Sequence, residues 1–130
     1  MAFLAKMTID GGELMNVLHC SYRINQVTDA SGKPSSVPHG GYVSLVVEST
    51  KETELFDWMI NPTSVKNGTI SFYRRDMFSK LKTLEFSEAY CVDYQETFDS
   101  NGQHPMQITF TLSAKKLKLN DSEFKNSWPD

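Results

Sequence analysis

Few residues in this chain are placed to do chemistry. His19 and Cys20 are adjacent, but neighbouring side chains in a strand leave opposite faces, so the imidazole cannot serve the thiol as a base. His39, beside Gly40 and Gly41, and His104, beside Pro105, fall in turn-like sequence with no acid partner evident nearby. A histidine without an orienting group is weak acid-base machinery. Asp99-Ser100-Asn101-Gly102 has the opening of a calcium loop but lacks the bidentate glutamate downstream, so it reads as a hairpin turn. Asn67-Gly68-Thr69 matches a glycosylation sequon, which carries no weight in a chain without a secretory leader. Cys20 and Cys91 form no CxxC and have no His or Cys at metal-ligand spacing. They read as reduced thiols packed in strands, which fits synthesis in the cytoplasm. The expectation is a protein that is no enzyme and holds no metal or cofactor.

Composition narrows the class further. The 130 residues suit one domain over 1–130, and hydrophobic residues at 39% with aromatics at 12% can build a packed core. No apolar run approaches the roughly 18 to 20 residues of a membrane-spanning helix, so membrane insertion is not expected. The N-terminal MAFLAKMTIDGG places its lysine after the apolar start, unlike a secretory signal peptide; any export must use another route. Thirteen Lys and Arg against 16 Asp and Glu give a net charge of −3, and the basic residues are scattered. A nucleic-acid groove needs a basic stripe, so no nucleic-acid partner is expected.

The elements that would carry any function are strands. Phe3 to Ile9 alternates in polarity, and Asp10-Gly11-Gly12 supplies the positive φ angles of a tight hairpin. In Leu14 to Val27, Leu14, Leu18, Cys20, Tyr22 and Ile24 share one phase, with Asn16 and Gln26 as its polar exceptions, and His19, Ser21, Arg23 and Asn25 fill the other, which predicts a long half-buried strand. TDASGKPSSVPHGG follows, a loop too rich in Gly, Pro and Ser to hold a ladder. Tyr42 to Glu48 reads as a short strand. Ser49-Thr50-Lys51-Glu52 offers a capping box for a single helix over Glu52 to Ile60, with Leu55, Phe56, Met59 and Ile60 at helical spacing before Asn61-Pro62 stops it. Thr69 to Arg75 is a further strand. A long strand over Leu81 to Phe98 carries Leu84, Phe86, Tyr90, Val92 and Tyr94 in its apolar phase, and a last strand starts at Met106; these two should form a hairpin about residues 99–102. The segment Asn120 to Asp130 is either loosely ordered or docked by Phe124 and Trp128.

Six such strands with one apolar face each describe a mainly β fold, a small partly open antiparallel β-barrel closed on one side by the helix. Ser87, Gln107, Thr109, Thr111 and Ser113 fall on a face of short, neutral, polar side chains. Two readings stand for that face: the ordinary β propensity of Thr on an exposed surface, or the wall of a channel. A small barrel holding a sugar or lipid in its mouth, with Trp58 or the tyrosines stacking on it, fits the strands equally well, although Trp58 is more simply core.

Taken together, MAFLAKMTIDG, NVLHCSYRINQ, SGKPSSVPHGG, VVEST, LFDWMINP, ISFYRRD, EAYCVDYQETFDSNG and PMQITFTLSAKK, in that order, resemble a divergent branch of the Hcp (TssD) family, the tube proteins of type VI secretion. The resemblance spans nearly the whole chain. It implies a partly open barrel that forms homohexameric rings, stacked into a hollow tube inside a contractile sheath. The implied partners are other copies of the chain together with sheath, spike and effector proteins. Assembly would be cytoplasmic and export would pass through the apparatus itself. The family's contact loop falls on Asp29 to Gly41, where Gly32, Pro34, Pro38, Gly40 and Gly41 shape the backbone and Lys33 and Ser35 lie between them. The polar face of Ser87, Gln107, Thr109, Thr111 and Ser113 would line the lumen. Met77-Phe78, an apolar pair ahead of the last hairpin, departs from many relatives and would suit a contact between subunits.

Overall fold

The computed structural model of the chain describes residues 4–74, 76 and 79–129; Met77 and Phe78 lie outside them. Among the described residues, seven strands and one helix follow in the order β1 (Leu4–Ile9), β2 (Met15–Asn25), β3 (His39–Glu48), α1 (Glu54–Ile60), β4 (Lys66–Tyr73), β5 (Lys80–Phe98), β6 (Met106–Leu119) and β7 (Ser122–Lys125). All pairings are antiparallel, in the order β3-β2-β1-β4-β5-β6-β7. Tyr42 through Glu48 of β3 also pairs with Ser113 through Gln107 of β6. The first six strands therefore close on themselves, and β7 extends the sheet beyond the point where β3 leaves β6. The barrel is closed where a partly open one was expected, because β3 bonds a neighbour along each edge.

The interior is filled by side chains from every wall, with Met7, Leu45, Ile70, Phe86, Phe110 and Leu112 almost wholly buried. The helix supplies the plug on one side. Trp58 is 1% exposed, stacks on Phe86 with centroids 6.5 Å apart, and donates its indole N–H to the Ser64 carbonyl at 3.2 Å. Burying an aromatic of that size is among the larger single contributions a small core receives. The helix starts at Glu54, two residues later than the capping box implied, and its N-cap Thr53 makes no side-chain cap. The Thr50 hydroxyl instead accepts from the Glu52 N–H at 3.2 Å, a local turn that holds residues ahead of the helix out of it. Its buried residues are Leu55 and Trp58, one turn apart. Phe56 turns out from the core and meets the Tyr94 ring edge-on at 5.6 Å.

Strict alternation misassigned two long strands because they bulge. In β2 the register against β3 slips between Val17 and His19. Met15 and Val17 face inward before the slip and Cys20 and Tyr22 after it, while Leu14 is 68% exposed. In β5, Glu88 takes φ 49° where the register against β4 slips between Lys66 and Gly68, and the register against β6 slips between Cys91 and Asp93. Ala89 and Cys91 are thereby buried, and Val92, expected inside, is 47% exposed. The bulges have a purpose: at about 3.3 Å per residue a straight 19-residue β5 would run roughly 60 Å, and bulges bend such a strand around a small barrel.

The C-terminal segment is docked, by a strand that the sequence pattern did not reveal. β7 pairs Lys125, Phe124, Glu123 and Ser122 with residues 116–119 of β6; Phe124 packs on the core and Trp128 lies 5.8 Å from the Tyr90 ring.

Candidate assembly surfaces

The loop between β2 and β3 is shorter and more ordered than its composition suggested. His39, Gly40 and Gly41 belong to β3, with His39 and Gly40 opposite Asn25 and Ile24. Gly40 and Gly41 are therefore barrel residues and not part of the tip. What remains folds back on itself: Thr28 and Pro34 form a bridge, the Asp29 N–H donates to the Lys33 carbonyl at 2.8 Å and the Ser35 N–H to the Val27 carbonyl at 2.8 Å. The Asp29 carboxylate accepts from the Ser31 hydroxyl at 2.7 Å, the Ser31 N–H at 2.8 Å and the Lys33 N–H at 3.1 Å. These bonds, the Ser31 hydroxyl first, hold its carboxyl below the usual carboxylate range. Gly32 occupies φ 90° at the apex, where a side chain would be strained. Asp29, Lys33, Pro34, Ser35 and Pro38 are all exposed. So are the apolar Val27 and Val37, at 55% and 59%.

The small polar face lies on the outside of the barrel wall. Ile108, Phe110, Leu112 and Ala114 point into the core, which turns Gln107, Thr109, Thr111 and Ser113 outward. Across the wall, Ser21, Ser44, Thr111 and Asp93 form one row and His19, Val46, Thr109 and Gln95 the next. Short hydroxyl side chains thus continue from Thr111 over Ser44 to Ser21, on β6, β3 and β2, two of which sequence reading had not joined to the face, while Asp93 and His19 stand at opposite ends of the two rows. Ser87 is not among them. It pairs with Lys116, which meets Glu123 at 3.4 Å, and it stands eight residues, about 26 Å of strand, from Gln95.

At one end of the barrel a cavity of about 330 Å³ has a floor of Ile9, Met15, Val47, Leu55 and Ile108 and a rim that includes Glu13, Glu48, Glu52 and Glu54. Glu48 is engaged, accepting from Asn16 at 3.0 Å and meeting His104 Nδ1 at 2.7 Å. His104 therefore has the acid partner that its sequence neighbourhood did not show. No signal in the sequence linked positions 48 and 104, which the β3–β6 pairing alone brings together. Burial pushes the Cys20 and Cys91 thiols up to about 11, so both stay protonated near neutrality and are poor nucleophiles. Among the described residues no His, Cys, Asp and Glu cluster could hold a metal, and no helix is long and apolar enough to cross a membrane.

The model of the Hcp (TssD) family, hemolysin coregulated protein, matches residues 1–129. The chain belongs to the Hcp (TssD) family. Hcp1 from Flavobacterium johnsoniae is 46% identical, with 95% of this chain and 99% of that one covered and a TM-score of 0.88. Hcp1 from Salmonella typhimurium shares the fold at 15% identity, covering 95% and 92% with a TM-score of 0.75. A chain of the PVC sheath-tube complex, an extracellular contractile injection system in its extended state, is alike in fold at a TM-score of 0.52 and 23% identity, covering 91% and 87%. No curated protein sequence matches the chain.

Proposed function

We propose that the chain is the structural subunit of a type VI secretion inner tube. Copies form homohexameric rings, and the rings stack into a hollow tube that sits within a contractile sheath behind a spike and carries effectors. The observation that carries this reading is the family match over residues 1–129, reinforced by 46% identity with an Hcp1 protein over 95% of this chain. The subunit is assembled in the cytoplasm and leaves through the apparatus, and its role is structural, not catalytic.

The surfaces have separate duties on this reading. Gln107, Thr109, Thr111 and Ser113, with Ser21 and Ser44 beside them, line the lumen; Ser87 borders it at most. A wall of short neutral side chains offers cargo weak contacts without trapping either charged or apolar surfaces. The loop from Asp29 to Pro38 reaches a neighbouring copy, with Asp29, Gly32, Lys33, Pro34, Ser35 and Pro38 at the contact, while Gly40 and Gly41 hold its root in the barrel. An exposed, internally bonded loop suits such a contact because little ordering remains to be lost on binding.

Size-exclusion chromatography with light scattering and negative-stain microscopy tests the assembly. Annular particles of six copies are expected, and a strictly monomeric species at high concentration would overturn the reading. Thr109→Lys with Thr111→Lys should leave rings intact and reduce effector retention; unchanged retention would remove the lumen assignment.

A further inference from the structure

The dipeptide Asn-Gly occurs twice in the chain, as Asn67-Gly68 and as Asn101-Gly102. An asparagine followed by glycine is open to attack by its own backbone, because glycine sets no Cβ beside its nitrogen and leaves the intervening peptide free to rotate. The attack also requires that nitrogen to leave its hydrogen bond and swing toward the asparagine Cγ. An ordered strand opposes this movement, and an exposed turn permits it.

Asn67 is held from several directions. Its N–H donates to the Asp10 carboxylate at 2.9 Å, its carbonyl accepts from the Asp10 N–H at 2.8 Å, and its side-chain oxygen accepts from the Glu88 N–H at 2.8 Å. Gly68 follows between Ile9 of β1 and Phe86 of β5, so tightly packed that a Cβ would strike the Phe86 ring. Asn101 stands in the opposite situation. Its N–H donates to the Asp99 carboxylate at 3.0 Å, but its side-chain amide has no hydrogen-bond partner among the described residues, and both Asn101 and Gly102 are exposed. The turn is pinned at its base, where the Asp99 N–H donates to the Pro105 carbonyl at 2.7 Å. At its tip the Gly102 N–H makes one bond of 3.1 Å, to the Asp99 carbonyl. A Cβ on Gly102 would meet nothing nearer than 3.4 Å, so there is room around the reacting nitrogen.

We infer that Asn101 is a site of spontaneous deamidation and isoaspartate formation, and that Asn67, with the same dipeptide, is protected. The Gly102 nitrogen forms a bond to the Asn101 Cγ, the bond from Cγ to the side-chain nitrogen breaks, and ammonia leaves with the proton that Gly102 gave up. The product is a five-membered succinimide. Water, the one co-reactant, then opens the ring on either side of its nitrogen. Cleavage at Cγ gives aspartate, and cleavage at the former backbone carbonyl gives isoaspartate, whose main chain runs through Cγ and is one carbon longer. Either product adds a negative charge two residues from Asp99. Isoaspartate also frees an α-carboxylate, the group that a carboxyl methyltransferase specific for isoaspartyl residues modifies. The conversion starts at synthesis and needs no catalyst, so the converted fraction of the turn between β5 and β6 rises with the age of a copy. None of this depends on the tube reading.

Peptide mapping of the full chain after incubation at mildly alkaline pH tests the inference. Trypsin cuts after Lys and Arg, so residues 67–74 and 83–115 separate as peptides holding one asparagine each. The 83–115 peptide should acquire the mass of an acid in place of an amide and accept methyl groups from an isoaspartyl methyltransferase, roughly tenfold or more faster than 67–74. In urea the two should convert at similar rates. Equal rates in the folded protein, or an Asn67 that stays intact even in urea, would overturn the inference. Gly102→Ala, which the open space accommodates, should slow conversion at Asn101 roughly tenfold by shielding the nitrogen; an unchanged rate would overturn the mechanism.

Discussion

Asn126 is packed against Gly41 so closely that a Cβ at Gly41 would come within 2.7 Å of the Asn126 Nδ2 and closer still to the Ala114 carbonyl oxygen. That amide donates to the carbonyls of Gly40 at 2.8 Å and Ala114 at 2.9 Å, and the Asn126 N–H donates to the Lys115 carbonyl at 2.7 Å. The residue is 8% exposed. One side chain after β7 therefore ties the start of β3 to the middle of β6, at the place where the two strands part.

Replacing this amide should cost more than an ordinary surface hydrogen bond. Asn126→Ala leaves two carbonyls without their donor and should destabilise by about 2 kcal/mol. Asn126→Asp should cost more, since a carboxylate would face two carbonyl oxygens. Urea unfolding followed by fluorescence measures both, and equal stability of Asn126→Asp and the unsubstituted protein would refute the assignment.

Gly68 offers a packing test. A Cβ there would collide with the Phe86 ring and lie 2.7 Å from the Thr8 carbonyl oxygen, so Gly68→Ala should destabilise by about 1–3 kcal/mol through overpacking. Because the ring is one of the two obstacles, Gly68→Ala with Phe86→Leu should lose less than the sum of the two single losses. Strict additivity in a double-mutant cycle would show that the ring gives way freely.

The buried thiols predict a pH dependence on the alkaline side. The ordinary value for such a thiol is 9.0, and burial raises Cys20 and Cys91 to about 11. The folded state favours the neutral thiol, so this stabilisation is complete below pH 9 and is lost as pH rises from about 9 to 11. Cys20→Ala with Cys91→Ala should flatten that part of the melting-temperature curve, and thiol reagents at pH 8 should label the native protein much more slowly than the unfolded chain.

Loop order should depend on one carboxylate. Asp29→Ala removes the acceptor for Ser31 and Lys33, so amide exchange across residues 27–36 should accelerate while the melting temperature hardly moves, the segment being exposed. Acid should do the same once pH falls below the depressed value of Asp29, since protonation weakens the acceptor. Unchanged exchange in Asp29→Ala would show that the backbone bonds alone hold the turn.

How much of this was legible in the sequence depended on how local each cause was. The Asp10-Gly11 hairpin, the helix stop at Asn61 and the final hairpin have their determinants within a few residues, and each was found where the residues pointed. The inward phase was misread in β2 ahead of the bulge at Leu18 and in β5 between Glu88 and Asp93, because a bulge leaves alternation looking unbroken on paper while swapping the faces. β7 escaped notice because four residues with Phe124 as their single large apolar side chain make no periodic signal. Asn126 and the His104–Glu48 pair were invisible for a related reason: their partners lie 12 to 86 residues away and meet only after closure. The outward polar face on β6 could be read from alternation, whereas its continuation over Ser21 and Ser44 required the register.

Barrel closure also constrains how the protein is made. β3 and β6 meet across roughly 60 to 70 residues of intervening chain, and such long-range pairings slow folding and leave strand edges open meanwhile. During synthesis, β3 emerges from the ribosome with one edge paired to β2 and the other bare until residues 107–113 have been translated. Half-built sheets of this kind must be kept apart, so the fold places its greatest demand on chaperones before the barrel closes.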